Sequence, residues 1–219
     1  MAPARDGQWK LYDWERLDLG LSESAEIGIY CRYVESNRLD SYYTLSDHLQ
    51  QADDLILEGD YLAAAEQVKL AENISVVAEL SDFCHVLVGY RWQQLSEFPK
   101  ARLSFEKVRH PEQMPGAFFG LMNCSEYDDP EFALRNATQY ENCVGPGVDL
   151  SSRKARMLER LKRPEEAMIE WKKILRLEAD HTGALSALLK EFSDENKSDL
   201  TQYLTRLDDP VQTAITLVD

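Results

Sequence analysis

Residues 82–113 read DFCHVLVGYRWQQLSEFPKARLSFEKVRHPEQ. In the first half, His85, Val88, Gly89 and Trp92 recur at i, i+3, i+4 and i+7, one face of an amphipathic helix. In the second half, Ala101, Phe105 and Val108 repeat that spacing after a break at Ser96–Pro99. Pro99 falls in the first turn of the second helix, where a missing amide hydrogen costs little. The stretch predicts two antiparallel helices that approach closely at Gly89 and Ala101. Trp92 and Phe105 fill the volume around that approach.

The same pattern recurs on both sides. Ala64 is followed by Val68, Ala101 by Phe105, Ala133 by Ala137 and Ala167 by Trp171, with gaps of 37, 32 and 34 residues between the alanines. Before the quoted stretch, Ala52 and Leu55 hold the places of Gly89 and Trp92, and Glu58-Gly59-Asp60-Tyr61 makes the turn into Ala64, Val68 and Ala71. After it, Phe118, Gly120 and Leu121 form a first helix one residue short of register, followed by Tyr127–Glu131 and a helix with Ala133, Ala137 and Tyr140. Ala155, Leu158, the turn Lys162–Glu166, and Ala167, Trp171 and Ile174 give a fourth unit. Residues 182–192 open a fifth, with 199–207 as its amphipathic partner.

These residues resemble the tetratricopeptide repeat pattern, bulky-x-x-aliphatic-Gly-x-x-aromatic then Ala-x-x-x-Phe, over about 45–207. The near-constant spacing matches its roughly 34-residue period. The resemblance implies an all-α fold, an alpha-alpha superhelix of four to five helix-turn-helix repeats with a helical or aromatic N-terminal cap. Units fall at about 45–77, 82–113, 114–144, 148–180 and 182–207, followed by a C-terminal cap. The chain departs from the pattern at Ala179, where proline is usual. Residues 1–44 form an extension outside the repeats. Its Trp9–Leu21 stretch is apolar and aromatic, 25–35 reads as a helix, and together they suit a cap over the open end of a helical stack. Self-association through the aromatic stretch is the alternative.

Composition narrows the function. The 219-residue chain has a formal charge of −15 and a pI near 4.7. Residues 1–80 hold 16 acids against 6 bases, while 148–219 hold 14 against 12. No base lies between Arg38 and Lys69, where Asp40, Asp47, Asp53, Asp54, Glu58, Asp60 and Glu66 occur. Such a surface repels phosphate backbones and steers basic partners, so nucleic acid is excluded as a ligand class. The sequence shows neither a secretory leader nor an apolar run long enough for a membrane helix, so a cytoplasmic protein without direct membrane insertion is expected. Cys31, Cys84, Cys124 and Cys143 make no Cys-x-x-Cys pair and are read as buried thiols. The Asn-x-Ser/Thr acceptor spacing at Asn73, Asn123, Asn136 and Asn196 is read as chance.

Catalytic motifs are missing. His48, His85, His110 and His181 occur singly, and His48 and His85 stand where the repeat takes a bulky packing side chain. Asp128-Asp129 and Asp208-Asp209 precede proline, as helix-starting acids do. No catalytic residue, metal ligand or cofactor is expected, and the protein is not read as an enzyme.

Binding is the function the resemblance implies. First helices of such repeats line a concave groove, and projection places Leu49, Asp53 and Ile56, then Phe83, Val86 and Tyr90, then Phe118 and Met122 there. Arg156, Arg160 and Lys190 extend it as a basic end. An apolar groove of this kind suits a peptide or helix of a protein partner. A co-chaperone carboxylate clamp is disfavoured, because Leu49 and Asp53 stand where its lysine and asparagine would be needed. The expected role is an adaptor or assembly subunit. A dedicated secretion or assembly chaperone and a structural subunit of a permanent complex are the alternatives.

Overall fold

The computed structural model describes residues 40–190 (without the side chain of Glu79), Thr201, Tyr203 and Thr205, and the backbone of four dipeptides near the N-terminus. Those dipeptides pair as two antiparallel ladders, β1 Ala2–Pro3 with β2 Trp9–Lys10 and β3 Glu15–Arg16 with β4 Leu21–Ser22. The helix expected over 25–35, the packing of the aromatic stretch and the turn beyond Pro210 lie outside the described residues.

The described remainder is helical. Helices α1 Asp40–Glu58, α2 Tyr61–Glu72, α3 Ala78–Gln94, α4 Phe98–Glu106 and α5 Gly116–Ser125 belong to one compact unit, Met1–Ser125. Helices α6 Pro130–Val144, α7 Val148–Arg160, α8 Pro164–Leu177 and α9 Thr182–Lys190 belong to a second, Glu126–Asp219. The boundary between the units falls within the third of the expected helical hairpins.

Three hairpin turns are built alike. The Asp60, Glu97 and Arg163 amides donate to the carbonyls of Leu55, Trp92 and Leu158, each at 2.9 Å. These bonds run five residues back and satisfy a carbonyl that the helix end leaves open. Each needs a left-handed residue in the turn, and Gly59, Ser96 and Lys162 supply it with φ of 83°, 60° and 57°. Leu55, Trp92 and Leu158 are the positions the repeat register equates, so the backbone follows the same period as the side chains. Asp60 and Asp129 cap α2 and α6, accepting from the Ala63 and Phe132 amides at 3.1 and 3.0 Å.

The four repeat alanines and the residues four places after them are all buried. In the first unit, α1 packs on α2 and α3, α3 on α4, and α5 on both α3 and α4. Phe105 occupies the junction of the last three. A Cβ added to Gly89 would stand 2.7 Å from its ring, and one added to Gly120 2.2 Å away. Gly89 thus makes room for the Phe105 ring. In the second unit, α7 packs on α6 and α8, and α9 on α8. Its core gathers Ala155, Trp171, Ile174, Leu175, Leu185 and Leu188 with Tyr203, a residue of the expected 199–207 helix.

One polar contact fixes the end of α4. Buried Asp82 of α3 accepts from the Arg109 and His110 amides, both at 3.1 Å, while Arg109 also donates to the Ala78 carbonyl at 2.7 Å. Burial raises the Asp82 pKa, but the two amides and the Arg109 guanidinium outweigh it and hold the carboxyl below its usual range. A depressed carboxyl contributes stability above its unfolded pKa of about 3.9, and that contribution is lost as pH falls through the lower folded value. Asp82→Ala leaves both amides without that acceptor and should cost about 1–3 kcal/mol. Thermal unfolding at pH 7 checks the cost, and the variant should lose less further stability below pH 4 than the parent.

Candidate interaction surface

The first helices of the first unit carry most of the side chains projected onto a groove, and the structure divides them. Leu49, Phe83, Val86 and Met122 are buried, so here they pack and present no open surface. Asp53 and Ile56 on α1, Tyr90 on α3 and Phe118 on α5 are half-buried and can still meet a partner. The cause is local. Helices α1 and α3 each pack against their second helix, α2 and α4, and also against the next first helix, α3 and α5, and projection from the repeat does not separate that second face from the open one.

Two consecutive residues of α3 tie this surface together. Arg91 reaches α1, with Nε 2.6 Å from Asp53 Oδ1 and Nη2 donating to Oδ2 at 2.7 Å. Tyr90 reaches α5 instead, its hydroxyl donating to the Gly116 carbonyl at 3.1 Å while its ring meets Phe105 edge-on at 5.2 Å. Asp53, expected as an open acid, is therefore half of a forked ion pair. Arg91 was missed by sequence reasoning. Its signal was a lone base one residue beyond an expected groove aromatic.

Arg156, Arg160 and Lys190 are exposed residues of the second unit. Arg156 bonds back to the Ser152 hydroxyl at 3.0 Å. Arg160 donates to the Glu126 carbonyl at 2.6 Å and lies 4.9 Å from the centre of the Tyr127 ring. Glu126 also accepts from Arg153 at 3.0 Å, so it draws two arginines of α7 onto the segment before α6.

The histidines take local partners. His48 pairs with Gln67 at 2.7 Å, His85 with Ser81 at 3.2 Å and His110 with Glu112 at 3.8 Å, while His181 accepts from the Ala184 amide at the start of α9. Burial pushes the Cys84 thiol up to about 12 and Cys124 up to about 11. Both are therefore protonated and poorly nucleophilic near neutral pH.

Solved structures share this architecture. One described as the crystal structure of MamA protein superposes with a TM-score of 0.59 at 12% identity, over 78% of this chain and 91% of that one. A second MamA crystal structure gives 0.56 at 11%, over 75% and 95%. A third, MamA MSR-1 C2, gives 0.56 at 13%, over 82% and 97%. The sequence matches no protein-family model and no curated protein. The chain is therefore an all-α helical-repeat protein with a tetratricopeptide-like fold. No helix among the described residues is long and apolar enough to cross a membrane.

Proposed function

We propose that the protein is an interaction scaffold that holds a peptide or helix of a protein partner on the first-helix surface of α1, α3 and α5. The observation that carries this reading is the row of half-exposed Ile56, Tyr90 and Phe118 on three successive first helices, beside the Asp53–Arg91 fork. Apolar anchors would bury Ile56 and Phe118, and Tyr90, held by Gly116, offers area at low ordering cost. The acidic N-terminal half favours a basic partner segment, whose association slows as salt screens the attraction beyond about 8 Å at 0.15 M. Tetratricopeptide-like folds of this kind support such a role in general terms, and the partner's chemistry is the part read from these side chains.

The test is affinity purification with mass spectrometry to identify a partner, then titration of that partner against an Ile56→Ala/Phe118→Ala variant. Affinity should drop about 10- to 100-fold while thermal unfolding stays cooperative. An unchanged dissociation constant in a folded double variant removes this surface from the binding site.

A further inference from the structure

His181 opens α9 with a side chain of a different kind from those that cap α2 and α6. Its carbonyl accepts from the Leu185 amide at 3.1 Å, and its ring Nδ1 accepts from the Ala184 amide, also at 3.1 Å. Those two bonds make it the N-cap, a place that Ser, Thr, Asp and Asn usually hold. The half-buried ring is seated in the first turn, where a Cβ added to Gly183 would stand 3.2 Å from its Cε1. A backbone amide can only donate, so the Nδ1 that accepts here carries no proton. Asp60 and Asp129 cap α2 and α6 through carboxyl oxygens, which remain acceptors with or without a proton. Of these three capping side chains, His181 is the one whose acceptor a proton removes.

α9 depends on that cap. It is nine residues long with a glycine in its first turn, and helices shorter than about 12–15 residues are marginal by themselves. Packing supplies the rest, since Ala184, Leu185 and Leu188 join Trp171, Ile174 and Leu175 of α8 in one core. A proton on Nδ1 removes the acceptor and also sets a positive charge at the positive end of the helix dipole. Little nearby offsets that charge. From α8 the ring meets Trp171 at 6.5 Å between centroids, outside the roughly 6 Å over which an aromatic face attracts a cation. No charged side chain of α8 or α9 pairs with the imidazole among the described residues. The acids of the preceding turn, Glu178 and Asp180, are exposed. As sequence neighbours they accompany His181 whether α9 is docked or loose, so they do not favour the docked form.

We propose that His181 is a proton-sensitive latch: neutral, it caps α9 and holds it docked, and protonated, it lets α9 loosen from α8 below neutral pH. The docked form binds no proton at Nδ1 and the loose form can, so acid moves the balance toward the loose form. Trp171, Ile174 and Leu175 are all buried in the docked form, so loosening uncovers an apolar face of α8.

Hydrogen exchange of the full chain is the test, with α9 followed separately from α7, whose N-cap Gly147 has no side chain to titrate. Rates are corrected for the intrinsic effect of pH on exchange. Between about pH 7.5 and 5.5, either side of an ordinary imidazole's value near 6.5, protection of α9 should fall about 5-fold relative to α7. His181→Asn keeps a capping acceptor that does not titrate, so α9 should stay equally protected at both ends of the range. His181→Ala has no acceptor at either end, so α9 should be about 5-fold less protected throughout, with no pH step. Wild-type α9 protection that holds steady relative to α7 overturns the proposal. A pH step that survives in His181→Asn overturns it too, because the titrating group would then lie elsewhere.

Discussion

Gly120→Ala should destabilise the first unit by about 1–3 kcal/mol, although alanine is the better helix former. Two effects oppose each other at this site. Within a helix the exchange gains about 1 kcal/mol of propensity. Against it, the new methyl would stand 2.2 Å from Phe105 Cζ and 2.4 Å from Cε2, far inside van der Waals contact. The ring has little room to yield. Gly89 of α3 faces the same end, where a Cβ added to it would stand 2.7 Å from Cε1 and 2.8 Å from Cζ, and the ring is 1% exposed. Overpacking a core of this density costs about 1–3 kcal/mol and sometimes more, so the steric cost wins. Gly89→Ala should be the milder variant, because its contacts are longer. A cycle with Phe105→Leu identifies the cause. The shorter side chain frees the volume the methyl needs, so Gly120→Ala should cost little or nothing in the leucine background. If Gly120→Ala melts at or above the parent temperature, the glycine is not needed for the close approach.

The extent to which the chain could be read follows from the range of the forces involved. Ala64, Ala101, Ala133 and Ala167 are visible because a close helix contact admits only small side chains, and that restriction acts within one hairpin. The turns are visible for the same reason. Gly59 announces a left-handed residue, although Ser96 and Lys162 adopt the same conformation without a residue type that signals it. Contacts between hairpins are harder to see. Gly120 stands one residue off the repeat register, and the ring it faces is Phe105 of the neighbouring hairpin, a pairing no local spacing reveals. Arg91 and Asp53 lie 38 positions apart, so the fork between them has no signature in either segment. The buried groove residues show the same limit. Leu49, Phe83, Val86 and Met122 are apolar residues on first helices, and apolar character alone does not separate a binding face from a packing face. Met122 in particular is wholly buried, so truncating it would open a cavity and report on stability before binding.

Lys154→Met should cost the second unit about 3–5 kcal/mol, the usual effect of removing one partner from a buried ion pair. Lys154 lies on α7, where helical periodicity alone gives no reason to bury a charge. The structure buries it to 5% exposure and sets its ammonium 2.7 Å from Glu141 Oε2 on α6 and 2.9 Å from Glu170 Oε1 on α8. Lys173 completes the cluster, 2.9 Å from Glu170 and 3.7 Å from Glu141. Burial alone would lower the Lys154 pKa, but the bonds from both carboxylates outweigh it and raise the value. A raised lysine contributes stability in full below its unfolded pKa of about 10.4, and this is lost only as pH rises through the higher folded value. The cost of Lys154→Met should therefore be constant between about pH 6 and 9 as far as this group is concerned. Without Lys154, buried Glu170 and half-buried Glu141 share the half-exposed Lys173, and Glu170 Oε2 already has no hydrogen-bond partner among the described residues. The loss measures stranded charge more than the net worth of the cluster. Lys154→Met/Glu141→Leu/Glu170→Met removes the stranded charges as well and should recover most of the stability. Equal losses in the single and triple variants would mean that the ion cluster itself holds α6, α7 and α8 together. Recovery would mean that apolar packing does, and that the charges fix which helix faces meet.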